Sequence, residues 1–147
     1  MQYVNSSANP VELSFDGGVT WKTLVCVTNY NRNLSATLTE TETLNCGTLQ
    51  GSGAPKFDFS GEAVTDINPS ASQVSQEDLE LAILNQYNGV GVPVQARTRW
   101  PATGSVSSLL YLKGEVKVES VNQKNSPNDL VKFDFSLKGN GIPELAP

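Results

Sequence analysis

The chain contains no histidine. That removes the side chain most often used as a general base near neutral pH and the commonest transition-metal ligand. Ser-His-Asp and Cys-His arrangements go with it. Cysteine is nearly as scarce, with Cys26 and Cys46 the only two and neither in a CxxC or zinc-binding spacing. Each lies in or near a strand-like stretch, where a free thiol behaves as a small hydrophobe. Two free thiols and one disulfide are both compatible with so low a count. Basic residues are outnumbered, 10 Lys and Arg against 15 Asp and Glu, for a net charge of −5. This disfavours tight nucleic-acid binding, because phosphates are held mainly by Lys and Arg. No apolar run approaches the ~18 residues of a membrane span. Met1-Gln2-Tyr3-Val4-Asn5 has neither the basic region nor the apolar core of a signal peptide, so a soluble protein made in a cytoplasm, with no membrane partner, is expected. There is no GxxxxGK[ST] phosphate cradle, and Gly89-Val90-Gly91 is too short to act as one. Asp58, Asp129 and Asp134 lack calcium-loop spacing. No cofactor, no metal and no catalysis are therefore expected.

What remains is β-rich. The 147 residues make one domain's worth of chain, 1–147. The hydrophobic fraction of 38% is low for a compact monomer. Either the loops are large or some surfaces are completed by partner subunits. Val11, Leu13 and Phe15 alternate with polar residues, Asp16-Gly17-Gly18 signals a turn, and Thr20 to Thr28 is β-branched and aromatic, so 11–28 reads as a hairpin. Asn29 to Asn33 reads as a turn and Leu34 to Leu44 as a further strand. Gly47 to Pro55, with three glycines and a proline, reads as part of a long flexible loop around 45–56.

Phe57, Phe59, Gly61 and Ala63 share one face of the next strand, 56–65. Ser75 with Asp78 forms a capping-box start for a helix over about 75–88, ended by Asn88-Gly89, with Leu79, Ala82, Ile83 and Tyr87 as its inner stripe. Val92 to Trp100 alternates again, with Pro93 suggesting an edge strand. Leu109 to Val121 is far longer than the usual ~5–6 residues, and Gly114 is where a bend or bulge is expected. Leu130 to Lys138 alternates cleanly and pairs with it. Residues 139–147 leave as a short flexible tail. The fold class expected is mainly β: an antiparallel sandwich or barrel of six to seven strands with one flanking helix.

Ser14-Phe15-Asp16-Gly17-Gly18-Val19-Thr20-Trp21 fits the S-x-D-x-G-x-T-W pattern of an Asp-box. In such a box Asp and Gly close a hairpin and Trp packs beneath it. A single copy is a structural hairpin, since a propeller needs several blades. Glu77, Asp78 and Glu80 are explained by the positive end of the helix dipole. Arg97 and Arg99 lie on one strand face and suit an anion, a solvated surface or a neighbour's carboxylates. Lys113, Glu115, Lys117 and Glu119 form a mixed-charge ladder fit for a wet sheet, a subunit interface or a lumen wall.

The segment Tyr111-Leu112-Lys113-Gly114-Glu115-Val116-Lys117-Val118-Glu119-Ser120-Val121, followed by Val131-Lys132-Phe133-Asp134-Phe135-Ser136-Leu137-Lys138-Gly139-Asn140-Gly141, resembles the major tail (tail tube) proteins of long-tailed bacteriophages. Lys56-Phe57-Asp58-Phe59-Ser60-Gly61-Glu62-Ala63 is similar to an early strand of that family, so the resemblance covers roughly 56–141. It implies a structural, non-enzymatic subunit that forms hexameric rings, stacked into a hollow tube for genome delivery. The implied partners are copies of itself and other tail proteins (tape measure, terminator, baseplate), with DNA passing through unbound. The implied location is the virion tail, assembled in the host cytoplasm. Within that picture Arg97, Arg99, Lys113, Glu115, Lys117 and Glu119 are candidates for the inter-subunit or lumen surface. Gly47, Gly51, Gly53 and Pro55 mark a candidate ring-stacking loop. Two alternatives stay open: another phage part (terminator, decoration or baseplate adaptor), and a carbohydrate-binding β-sandwich using Trp21, Trp100 and Tyr111.

Overall fold

The computed structural model describes residues 10–24, 26–66, 68–99 and 110–146. Met1–Asn5, Val25, Trp100 and Leu109 lie outside the described residues. In chain order the elements are β1 (Glu12–Ser14), β2 (Lys22–Leu24), β3 (Val27–Ser35), β4 (Leu38–Thr43), β5 (Gly47–Ser52), β6 (Lys56–Val64), β7 (Gln73–Val74), α1 (Gln76–Asn88), β8 (Val94–Arg99), β9 (Tyr111–Lys124), β10 (Lys132–Gly139) and β11 (Glu144–Ala146).

The architecture is mainly β with one helix, as the alternation anticipates, but the described residues contain eleven strands rather than six or seven. The surplus is short: β1, β2, β7 and β11 have two or three residues each, too few to show a period. Hydrogen bonding runs β3-β6-β10-β9-β8-β1-β2-β7, with β11 also on β9 and β4-β5 as a separate pair. Every pairing is antiparallel except β2 with β7. The sheet curls over its own core. Arg32 on β3 reaches Thr98 on β8, donating from Nη1 to Oγ1 at 2.7 Å.

Alternation builds that core. Phe57, Phe59 and Ala63 of β6 face Phe133, Phe135 and Leu137 of β10, Val116 and Val118 of β9, Val94 and Ala96 of β8, and Leu13 of β1. Each fully buried Phe or Leu contributes about 2 kcal/mol of transfer free energy. Leu79 and Ala82 close the core from α1. The capping box is present, with Ser75 Oγ accepting from the Asp78 N–H and the Asp78 carboxylate accepting from the Ser75 N–H. Gly89 ends the helix at φ 66°, a left-handed conformation that glycine adopts without Cβ strain. Gln86 docks α1 onto the sheet: its amide accepts from the Val118 N–H at 2.8 Å and donates to the Val118 carbonyl at 3.1 Å.

Six expectations are corrected. Asn29–Asn33 is not a turn but the middle of β3, paired with β6. Its run of asparagines reflects an exposed edge rather than a chain reversal. The loop expected at 45–56 is largely β5, hydrogen-bonded to β4. Pro93 precedes β8, which is paired on both sides and is not an edge. The bulge in β9 falls at Glu119, where Ser136 pairs with Ser120 and Leu137 with Val118, and not at Gly114. Tyr87 is 91% exposed, on a ridge with Leu81 and Leu84, instead of in the core. The C-terminal tail returns to the sheet, with Glu144, Leu145 and Ala146 pairing with Lys113, Leu112 and Tyr111. Gly141 at φ 110° makes the step that brings it back.

Candidate assembly surface

The Asp-box forms as its pattern requires. Asp16 Oδ1 accepts from the N–H groups of Thr20 and Val19 and from Ser14 Oγ, while Ser14 Oγ accepts from Gly18. Gly17 and Gly18 have φ of 80° and 92°, and the Trp21 ring lies beneath Gly18. The bonds from Thr20 and Ser14 hold the Asp16 carboxyl down from 3.8 to about 2. A depressed folded-state pKa means the turn's charge-dependent stability is complete above pH 3.8 and is lost as pH falls through about 2. Trp21 fluorescence in an acid titration should therefore show a step near pH 2, absent in Asp16→Asn. An identical titration in that variant would show that Asp16 does not hold the turn.

The strand face carrying Arg97 is spoken for. Arg97 donates from Nε and Nη2 to Glu12 Oε2 at 3.0 and 2.7 Å. Its guanidinium stacks between Trp21 and Tyr111, 4.3 and 4.2 Å from the ring centroids. Register extends this into a cross-strand row, Glu12–Arg97–Lys113–Glu144, whose acidic ends flank its basic centre. Arg97 is therefore a structural clamp and not a vacant anion site. Trp21 and Tyr111 use ring faces on it that a sugar platform would need. Arg99 pairs with Tyr111 in register and is half-buried. Sequence reasoning saw the Arg and the aromatics separately; the strand register that joins them has no local signal.

Glu115 accepts from Asn140 Nδ2 at 2.7 Å. Lys117 and Glu119 are exposed. They border a broader polar face made by β3, β6, β10 and β9. Three successive rows cross it: Asn29–Glu62–Asp134–Asn122, Asn31–Ser60–Ser136–Ser120 and Asn33–Asp58–Lys138–Lys117. None of these twelve positions is apolar. Lys124 bridges Glu62 and Asp134 at 2.7 and 3.1 Å, and Lys138 lies 3.9 Å from Asp58 and 4.0 Å from Glu119. The hydrogen bond donated by Lys124, then that from Thr28, holds the Glu62 carboxyl below its ordinary range; Glu62 and Asp134 raise Lys124 in return.

Gly47, Gly51, Gly53 and Pro55 belong to the β4–β5 hairpin and its exit. Gly47, at φ 69°, closes the three-residue turn Leu44-Asn45-Cys46, where Cys46 N–H donates to Thr43 Oγ1 at 2.9 Å. Gly53 N–H donates to the Thr37 carbonyl and Pro55 is exposed beyond it. Six paired rows at ~3.4 Å each make an arm about 20 Å long. Every residue of β4 and β5 is exposed except Thr43, which is half-buried. Its faces differ. Thr39, Thr41, Thr43, Gly47, Leu49 and Gly51 share one uncharged side, and Leu38, Glu40, Glu42, Thr48, Gln50 and Ser52 share the other. Leu44 is fully exposed at the tip beside Cys46. A two-stranded hairpin is marginal in water by itself, and this one contributes no residue to the core.

The chain is thus a curled β-sheet with a flanking helix, a polar face and an exposed two-stranded arm outside the core. Comparison with solved structures narrows this to a fold seen in phage-type tails. The chain matches a protein in the tail of an empty gene transfer agent particle, solved with helical refinement and C6 symmetry, over 99% of this chain and 100% of that one (TM-score 0.71, 14% identity). It matches a chain of the SPP1 tail tube over 95% and 81% (TM-score 0.63, 11% identity), and one of the anti-feeding prophage baseplate over 99% and 97% (TM-score 0.57, 11% identity). No family model and no curated protein matches the sequence.

Proposed function

We propose that this protein is a non-enzymatic structural subunit of a phage-type tail tube. Copies form hexameric rings, and the rings stack into a hollow conduit through which DNA passes into a host. The observation that carries the reading is the arm: an exposed hairpin with no core of its own, on a fold shared over its whole length with a C6-symmetric tail component. The three polar rows of β3, β6, β10 and β9 suit the conduit wall. Their amides and hydroxyls hold water, and Lys124 and Lys138 meet carboxylates of their own chain, so they have little charge left to grip phosphate; Lys117, at the end of the third row, lines the cleft beside α1 instead. Lys113 and Arg97, in the Glu12–Glu144 row, with Glu115 opposite Gln95 and Arg99 opposite Tyr111, fall outside those rows and suit a subunit contact. Gly47, Gly51, Gly53 and Pro55 give the arm its turn and its close approaches and suit ring stacking. Other tail proteins (tape measure, terminator and baseplate) would cap and fill the tube, in a virion tail assembled in the host cytoplasm.

Negative-stain electron microscopy with mass photometry on the purified protein tests this. Hollow tubes of uniform width, or particles of six-fold protomer mass, are expected. Monomers at every concentration, with or without other tail components, would overturn the reading; glycan binding by such monomers would move it to a sugar-binding module.

A further inference from the structure

The arm has a counterpart elsewhere on the molecule. Between the C-terminal end of α1 and the start of β8 lies a half-open cleft of about 300 Å³. Phe15, Val90, Val92 and Val94 give it apolar walls, and its charged lining residues are Glu115 and Lys117, beside the amides of Asn85, Gln86 and Asn140. Val90 and Val92 are more than half exposed among the described residues. Glu115 is held by Asn140. Lys117 makes no ion pair among the described residues, whereas Lys124, Lys132 and Lys138 each have a carboxylate partner. The arm tip offers the matching pieces: Leu44 fully exposed, and Glu42 two residues before it.

Resting on the assembly reading above, we propose that the tip of the β4–β5 arm of one copy enters this cleft on a second copy. Leu44 lies against Val90 and Val92, and Glu42 faces Lys117. The volume is ample for one leucine side chain, and the charges are of opposite sign. Arm and cleft are different surfaces on different elements, so the contact is heterologous. Such a contact propagates from copy to copy instead of closing on a pair, which is what growth of a tube requires.

Cys46 at the tip supplies a natural reporter. A donor carrying Cys26→Ser retains the tip thiol. A receptor carrying Cys26→Ser, Cys46→Ser and Val90→Cys has a thiol only at the cleft. The two are mixed, allowed to assemble and mildly oxidised, and donor–receptor dimers are identified by mass. The expected result is a covalent dimer, lost when the donor also carries Leu44→Asp and absent when the receptor thiol is instead at Ser60→Cys on the polar face. Rings or tubes that form without that dimer would overturn the arm–cleft contact and leave the assembly reading standing, as would a cleft found filled by a small apolar molecule with the arm outside it. Failure of both proteins to assemble at all, with or without other tail components, would overturn both.

Discussion

Gly139→Ala is expected to destabilise the protomer by about 3 kcal/mol, the upper end for overpacking. For a chain of this size that lowers the melting temperature by roughly 10 °C. Gly139 ends β10 opposite Val116, and a Cβ placed there runs into the backbone carbonyl oxygen of Phe57, with the ring Cδ1 of Phe57 3.1 Å and its nitrogen 3.2 Å away. The carbonyl is the tightest of these, and it cannot yield without parting β10 from β6. Gly114 makes a useful contrast. Its Cβ would meet the same residue, but at ring atoms 2.9 and 3.2 Å away, as well as the Pro143 Cα at 3.2 Å. Phe57→Leu, worth about 1 kcal/mol in itself, removes those ring atoms and leaves the backbone in place. Urea unfolding in two double-mutant cycles should therefore give a favourable coupling for Gly114→Ala with Phe57→Leu, and a clearly smaller one for Gly139→Ala with Phe57→Leu, whose tightest contact is with backbone. Equal couplings would mean that the strands adjust freely around Phe57. That would contradict a core in which Phe57 and Phe59 are fully buried and pack edge to face at 5.1 Å.

The same physics decides what was legible in the sequence. Strands that bury one face announce themselves: Phe133, Phe135 and Leu137, or Val94, Ala96 and Thr98, alternate because a core on one side selects them. The helix start was legible because a capping box is a local hydrogen-bond exchange. The arm was not. A hairpin with no core has no apolar period, so Thr, Gly and Glu in β4 and β5 look like loop composition. Tyr87 was misplaced because helical spacing fits it to the inner stripe, while at that turn of α1 it is Gln86 that faces the sheet, bonded to Val118, and Tyr87 is left exposed. The pairing of β11 with β9 depends on a backbone step at Gly141, and Arg97's place between two rings depends on strand register. Both are set by chain segments far apart in sequence. The candidate site was therefore visible as residue types but not as an arrangement. Its glycines were seen as flexibility, although Gly47 serves a fixed left-handed turn.

Excising the arm should separate folding from assembly. Thr37 and Gly53 are already bonded across its base, Gly53 N–H to Thr37 carbonyl, so replacing 38–52 by a two-residue glycine-rich turn leaves β3 and β6 in register. No residue from 38 to 52 is in the core, and shortening a loop changes closure entropy only slightly. The truncated protomer is expected to melt within a few degrees of the parent, since about 1 kcal/mol shifts a chain of this size by about 4 °C. Self-assembly, by contrast, should be abolished at every concentration at which the parent forms rings or tubes if stacking runs through the arm as proposed, since among the described residues β4 and β5 form a separate ribbon, about 20 Å long, that pairs with no other strand. Circular dichroism melting and electron microscopy on the same preparation read the two effects separately. A variant that folds and still forms tubes would show that stacking uses another surface, such as the exposed ridge of Leu81, Leu84 and Tyr87. A variant that fails to fold would show that the arm stabilises its own protomer, contrary to its exposure along both strands.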